Sequence, residues 1–454
     1  MDLAGWTRQT FARLAIGSLL LTAGTIARVG RAIRAGRIGP GTTAKHAKKI
    51  RLLVVGTFYN PNWIRSHLFP LAHAANVREV RVVCSQPGQA YRGLVYDVPP
   101  AWLRGLMGRS ISKILWFFVV ACRRRPDAAM GYHIMPNGLL CLMASGLLGC
   151  RSIYQMTGGP VQFIGGGWGS ENPLLHMQGR PSRVLENWMF GMGRLLDMIV
   201  VRGNGAREFL HDRRICGSAP IVTGSVDVER FCPGAEPKCY DIACVSRLMP
   251  FKGLDLFLEV IALLKKSGRE IRAAVVGDGV MRDSLLDQAR QLGIEANVAF
   301  LGQTDDVPSI LAKARLFMLI SASEGLSIAM LEAMSAGLPV LVSDVGELRD
   351  AIDGGRAGIL LSDRRPACMA EVVSGLLADP VRLEAMGAAA RQVAVERYSL
   401  QAVAARWAAV LNGGERSNGS PESPAGPDPS ALHAAGASGM LAGHELQGRR
   451  QDQS

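Results

Sequence analysis

Two pairs of charged residues in this sequence are spaced for chemistry. Glu324 and Glu332, eight residues apart, are the only charges in SASEGLSIAMLEAMSAGLPVLV, a run otherwise apolar or small. Arg247 and Lys252, five residues apart in VSRLMPFKGLD, lie just before Gly253. A guanidinium and an ammonium on one loop suit a diphosphate, the first through paired hydrogen bonds and the second as a point charge. A helix carboxylate beside Ile328, Leu331 and Met334 either faces water on a narrow stripe or points into a cleft. Buried and unpaired it costs several kcal/mol, whereas two hydroxyls, such as those of a ribose, would satisfy both oxygens. Taken alone, each pair also fits an ordinary solvated surface.

The elements that position these residues decide the matter. Glu324 follows the apolar run LFMLIS and precedes a helix expected over 327–336. Gly325, Leu326 and Ser327 would then offer free backbone N–H groups to an anion. The run ACVSRL brings Arg247 and Lys252 to another strand end, and ligands of open α/β sheets bind outside such carboxyl ends. Around them runs a βα series. RLLVVGTFYN, REVRVVC, DAAMGYH, SIYQM and DMIVVRG read as strands, with helices expected around 63–75, 102–123, from about 137, and 182–196. A second series follows: DIACVSRL, IRAAVVGDG, NVAFLG, LFMLIS, PVLVSD and GILL, with helices over 254–266, 281–292, 306–313 and 327–336. VVGDGV reads as a tight strand-to-helix turn, since GxG without a third glycine is half a dinucleotide fingerprint. Near-continuous apolar strands alternating with helices make parallel sheets covered on both faces. The expectation is an α/β chain of two Rossmann-like domains facing a central cleft. Its segments are a basic amphipathic start and linker (1–45), a first domain (46–225), a connection (226–240), a second domain (241–411) and a disordered Gly/Ser/Pro-rich tail (412–454).

With 454 residues, 48% hydrophobic and 20% charged, the chain has material for two cores. Nine singly spaced cysteines without a CxxC point to reduced thiols and a cytoplasmic setting. Of the net +13, residues 1–125 supply 20 Lys/Arg against three acids, or +17, leaving −4 for the remainder. That asymmetry calls for an anionic partner, and an anionic membrane surface fits better than nucleic acid, for which no zinc-finger or aromatic RNA-binding signature is present. Between Arg13 and Arg28 stand 14 uncharged residues, short of the roughly 20 needed to span a bilayer. An interfacial helix flanked by arginines is expected there, joined by a second basic and apolar segment, ISKILWFFVVACRRR.

Together these pieces resemble the C-terminal domain of retaining, family-4-type (group 1) glycosyltransferases of the glycosyltransferase B fold. The resemblance covers roughly 240–400, through VSRLMPFKGLD, VVGDGVMRDSL and VAFLGQTDDVPSILAKARLFMLISASEGLSIAMLEAMSAGLPVLVSDVGELRDAI. Glu324 and Glu332 meet its E-x7-E signature. Arg247 and Lys252 meet R-x4-K, with Ser246 where the family usually has glycine. The resemblance implies transfer of a sugar, with retention, from a nucleotide-diphosphate donor to a glycan or lipid-linked acceptor in polysaccharide biosynthesis. It implies no cofactor and no metal. Arg247 and Lys252 would hold the diphosphate and Glu332 the ribose. Glu324 and the amides of Gly325, Leu326 and Ser327 would contact donor sugar and phosphate. In the first half, Thr157-Gly158-Gly159 stands where the family commonly has histidine before glycine. His133, at the end of the strand 127–133, is the other candidate imidazole. Asn60, Asn62 and Arg65 are candidate acceptor contacts, and the loop 158–169 with Trp168 a candidate sugar cover. A nucleotide-sugar epimerase of the same fold, or a binding protein without catalysis, are the rival readings.

Overall fold

The computed structural model describes residues 16–30, 32, 49–58, 60–170, 172, 175, 177 and 179–413. The apolar runs form two six-stranded, wholly parallel sheets. The first holds β1 (Ile50–Val55), β2 (Val77–Val83), β3 (Leu94–Asp97), β4 (Ala128–Tyr132), β5 (Arg151–Gln155) and β6 (Met198–Val200), in the order β3-β2-β1-β4-β5-β6. The second holds β7 (Tyr240–Val245), β8 (Ala273–Val276), β9 (Val298–Gly302), β10 (Ala314–Leu319), β11 (Val340–Ser343) and β12 (Gly358–Leu361), in the order β12-β11-β10-β7-β8-β9. The two Rossmann-like domains are therefore present. The sense in which strands are added reverses between β1 and β4 and between β7 and β10. A crevice opens at each reversal, because successive connections leave to opposite sides.

Successive residues of the central strands are buried on both faces, as in Leu52 to Val55 and Leu316 to Leu319. The helix Leu254–Lys266 shows why its sequence folds that way. Leu254, Phe257, Leu258, Ile261 and Leu264 recur at helical spacing and all lie in the core. Each such side chain contributes roughly 1.5–3 kcal/mol on burial. β3 was not anticipated. LVYD has no apolar run, and the strand is held at the sheet edge by β2 and by Arg81, which donates to Asp97 at 2.9 Å.

One boundary needs correction. The second domain was expected to run from 241 to 411, yet the helix Leu400–Leu411 packs on the first. Val403, Trp407, Val410 and Leu411 share a core with Leu52, Val54, Leu68 and Leu71. Asn76 Nδ2 donates to the Ala408 carbonyl at 2.9 Å and Arg151 to that of Leu411 at 3.0 Å. The chain thus crosses between domains twice, and the crossings touch where Val226 N donates to the Tyr398 carbonyl at 2.7 Å.

The helix Ile16–Gly30 lies on the first domain. Ile16, Leu20, Ala23 and Ala27 face its core, while Leu19, Leu21 and Val29 are exposed. The expected basic start is described only from residue 16, and of the tail 412–454 only Asn412 and Gly413 are described. Among the described residues, the helix long and apolar enough to cross a membrane is instead Ala101–Arg124. Gly108 breaks it at φ 73°. Phe117, Val120 and Ala121 pack inward, and Trp102, Leu106, Ile111 and Leu115 face outward.

Candidate active site

At the β7/β10 reversal the motif residues assemble. The loop after β7 carries Arg247 and then a short 3-10 turn, Pro250–Lys252, which ends at Gly253. Gly253 has φ 68°, and a Cβ there would stand 2.4 Å from the Ile320 carbonyl, so this tight passage requires glycine. The passage lays the loop along the end of β10, where Ala322 N donates to the Phe251 carbonyl at 2.7 Å. Lys252 consequently reaches Glu324: Nζ to Oε1 is 2.5 Å, with both side chains about nine-tenths buried. Ser321 Oγ donates to the same oxygen at 2.8 Å. Arg247 is exposed, its guanidinium 5.8 Å from the Phe251 ring centre, while the Lys252 ammonium is 5.3 Å from that ring.

Beyond Glu324 the chain enters the helix Ile328–Ser335. Ser327 is its N-cap, with Oγ accepting from Met330 N at 3.4 Å. Leu326 is buried in the second-domain core. Glu332, just over one turn in, is 7% exposed. Burial pushes its carboxyl up to about 7, partly opposed by the charge of Arg230. Such a group gains most from partners that donate to it, as ribose hydroxyls do. The solvated-stripe alternative for Glu332 is inconsistent with this burial.

The first domain forms the facing wall. Thr157 is buried after β5, and its Oγ1 has no hydrogen-bond partner among the described residues. Its carbonyl lies 3.0 Å from where a Cβ on Gly325 would stand. His133 follows β4 at φ 64°, a region side chains rarely adopt. Its Nδ1 is 2.7 Å from Gln162 Nε2, and Tyr154 donates to the other end of that amide. His133 is thereby tied to the glycine-rich loop, itself held by Gly165 N donating to Glu186 at 2.6 Å. Asn60 caps its helix by accepting from Asn62 N at 2.8 Å, and Arg65 donates to Gln89 at 2.7 Å. Both have structural work that sequence reading did not foresee. Trp168 is 38% exposed on the loop.

Sequence reading also passed over two residues. Arg202, the last charged position of DMIVVRG, is 8% exposed and donates to the Leu326 carbonyl at 3.1 Å. Glu347 is 5% exposed, and its N–H donates to the Gly325 carbonyl at 3.2 Å. A charged residue directly after a buried strand was the available signal for Arg202. Nothing local marked Glu347.

Residues 226–393 match the family model of glycosyl transferases group 1. Over 208 residues the chain is 29% identical to the GDP-mannose-dependent alpha-(1-6)-phosphatidylinositol monomannoside mannosyltransferase of Mycolicibacterium smegmatis, covering 41% of this chain and 54% of that protein. Over 186 residues it is 34% identical to the D-inositol 3-phosphate glycosyltransferase of Nocardia farcinica, covering 37% and 41%. The chain spans about half the length of the curated relatives it matches. Among solved structures, Anabaena HepE in complex with UDP superposes with a TM-score of 0.64 at 16% identity, over 80% of this chain and all of the other. WaaG, a glycosyltransferase involved in lipopolysaccharide biosynthesis, gives 0.60 at 18%, over 80% of this chain and all of the other. These likenesses establish the glycosyltransferase B architecture.

Proposed function

We propose that this chain, whose residues 226–393 carry a group 1 glycosyl transferase domain, moves a sugar from a nucleoside-diphosphate donor to a glycan or lipid-linked acceptor with retention of configuration. The observation that carries the reading is the convergence of Lys252, Glu324 and the Gly325–Ser327 turn at the β7/β10 reversal, with Arg247 on the same loop.

The chemistry follows from that arrangement. The Glu332 carboxylate takes the ribose hydroxyls, and Arg247 and Lys252 face the diphosphate. As the bond between the anomeric carbon and the diphosphate oxygen lengthens, negative charge grows on the leaving group, where both cations and the helix amides stabilise it. The acceptor oxygen bonds to the anomeric carbon from the same face. Its proton passes to the departing diphosphate oxygen, so no protein base is required. Glu324, oriented by Lys252 and Ser321, accepts from donor sugar hydroxyls. His133 and Thr157 line the acceptor half.

The acceptor side is also the membrane side in this reading. The helix Ala101–Arg124 follows the carboxyl end of β3, so its outward apolar residues Trp102 and Leu106 stand at the cleft end of the first sheet. An exposed apolar helix start at that end suits insertion at the cytoplasmic face of a bilayer near a lipid-linked acceptor, with the basic residues of the first domain drawn to its anionic headgroups.

Incubation with labelled UDP- and GDP-sugars and membrane-extracted acceptor tests the proposal. Label on the acceptor together with free nucleoside diphosphate supports it. Epimerised donor, or binding without turnover, favours one of the rival readings instead.

A further inference from the structure

The cleft holds a cation that none of the motifs contains. Arg202 lies at the end of β6 and is buried, although an isolated buried guanidinium is costly. Burial pulls its pKa down to about 10, opposed by the charges of Glu324 and Glu347, so it stays charged at neutral pH. Its guanidinium spans the two domains, donating to the Thr157 carbonyl at 3.4 Å in the first and the Leu326 carbonyl at 3.1 Å in the second. Leu326 sits in the turn proposed to meet the donor sugar and phosphate.

The residues that follow Arg202 make a second crossing. The helix Asn204–Asp212 starts at Gly203, which has no side chain to cap it. Its first N–H groups are instead satisfied from the other domain. Asp350 Oδ2 accepts from Asn204 N at 2.7 Å, and the Glu347 carboxylate accepts from Gly205 N at 3.3 Å and Ala206 N at 3.0 Å. Carboxylates at a helix N-terminus are favourable, and here they are present only while the domains touch. The approach is close: a Cβ on Gly203 would stand 2.1 Å from Glu347 Oε2. Glu347 also holds Gly325 through its own N–H, so both crossings end on the same turn.

We infer that Arg202 is a positioning residue that holds the Glu324–Ser327 turn against the acceptor-side domain, and that residues 202–206 latch the cleft shut around the donor. The kinetic consequence rests on the proposed transferase activity; the latch itself does not. The proposed nucleotide contacts, Arg247, Lys252 and Glu332, lie within the second domain, so loosening the latch leaves nucleoside-diphosphate affinity intact while misplacing the sugar. Geometry errors of this kind act on turnover.

The test uses the full chain with Arg202→Met, Arg202→Lys and Gly203→Ala. By hydrogen exchange, Arg202→Met and Gly203→Ala should each raise exchange about tenfold or more across residues 203–210 and 322–330, with peptides from β7 and β8 unchanged. Turnover should fall about tenfold or more with UDP or GDP affinity unchanged, and Arg202→Lys should restore part of it. Should Arg202→Met fail to fold, Gly203→Ala carries the same expectation from the other side of the contact. Unchanged exchange at 322–330 in the folded variants overturns the latch, as does an equal loss of turnover and nucleotide affinity. If the wild-type chain transfers no sugar, the transferase reading falls and the exchange data alone decide the latch.

Discussion

Lys252 Nζ lies 2.5 Å from Glu324 Oε1, so the cation expected at the diphosphate is already paired with the carboxylate expected at the sugar. Each side chain is only about a tenth exposed. The pair keeps Lys252 aimed before donor arrives, and it changes what substitution should do. Losing one partner of a buried pair strands the other charge, a penalty of about 3–5 kcal/mol in well-shielded cases. Lys252→Ala should therefore lower stability as well as turnover, although it lies on a loop. Adding Glu324→Gln to Lys252→Ala should recover stability but not activity. Thermal melts and turnover of the two single variants and the double variant check this. A double variant less stable than Lys252→Ala would show that the pair is not what stabilises the loop.

Arg247 should behave differently because it is exposed. Arg247→Ala is expected to stay within about 0.5 kcal/mol of wild-type stability while turnover falls roughly 10²-fold. Near wild-type turnover would remove Arg247 from the diphosphate assignment.

Glu332 has a carboxyl raised by burial to about 7. Between the ordinary glutamate range and 7 the folded protein binds more protons than the unfolded chain, so stability declines as pH rises through that window. The shift corresponds to about 3 kcal/mol at most. Ribose hydroxyls donate to the ionised form, so nucleotide affinity should rise over the same window. Glu332→Gln should flatten both trends. Melts and UDP or GDP titrations from pH 5 to 8 read them out, and a pH-dependent affinity that survives in the Gln variant would point to another group.

The returning helix predicts where a truncation acts. Trp407 is 2% exposed in the first-domain core. Trp407→Ala should cost about 3–5 kcal/mol, and hydrogen exchange should place the loosening in β1 and in the helix Pro61–His73 rather than in β7 or β10. Loosening confined to the second domain would contradict the packing described above.

For the membrane surface, replacing Trp102 and Leu106 by Ser should reduce sedimentation with anionic vesicles at unchanged melting temperature, since both side chains are exposed. Binding should also fall with salt, each Lys or Arg near the surface contributing about 1 kcal/mol. Equal binding to neutral and anionic vesicles at all salt levels would argue against electrostatic docking.

Much of this was legible in the sequence because it is local. The helix Leu254–Lys266 was readable to the residue from its apolar period, and Arg247, Lys252, Glu324 and Glu332 sit at strand and helix ends that the alternation places. What escaped depends on residues distant in sequence. Lys252 meets Glu324 only because β7 and β10 are neighbours, and Arg202 meets Leu326 only because the domains face each other. The helix Leu400–Leu411 reads as a continuation of the second domain, since nothing in its period says which core it will enter. β3 is short and held by its neighbour, so its own residues carry little signal.

The most direct test is proton NMR of a reaction containing an α-linked nucleotide sugar, acceptor and the full chain. The account predicts loss of the donor anomeric signal, appearance of free nucleoside diphosphate and a new glycosidic signal of the same α configuration, all slowed roughly 10²-fold in Arg247→Ala. A β-linked product, an epimerised donor, or an unchanged spectrum with every UDP- and GDP-sugar tried would contradict it.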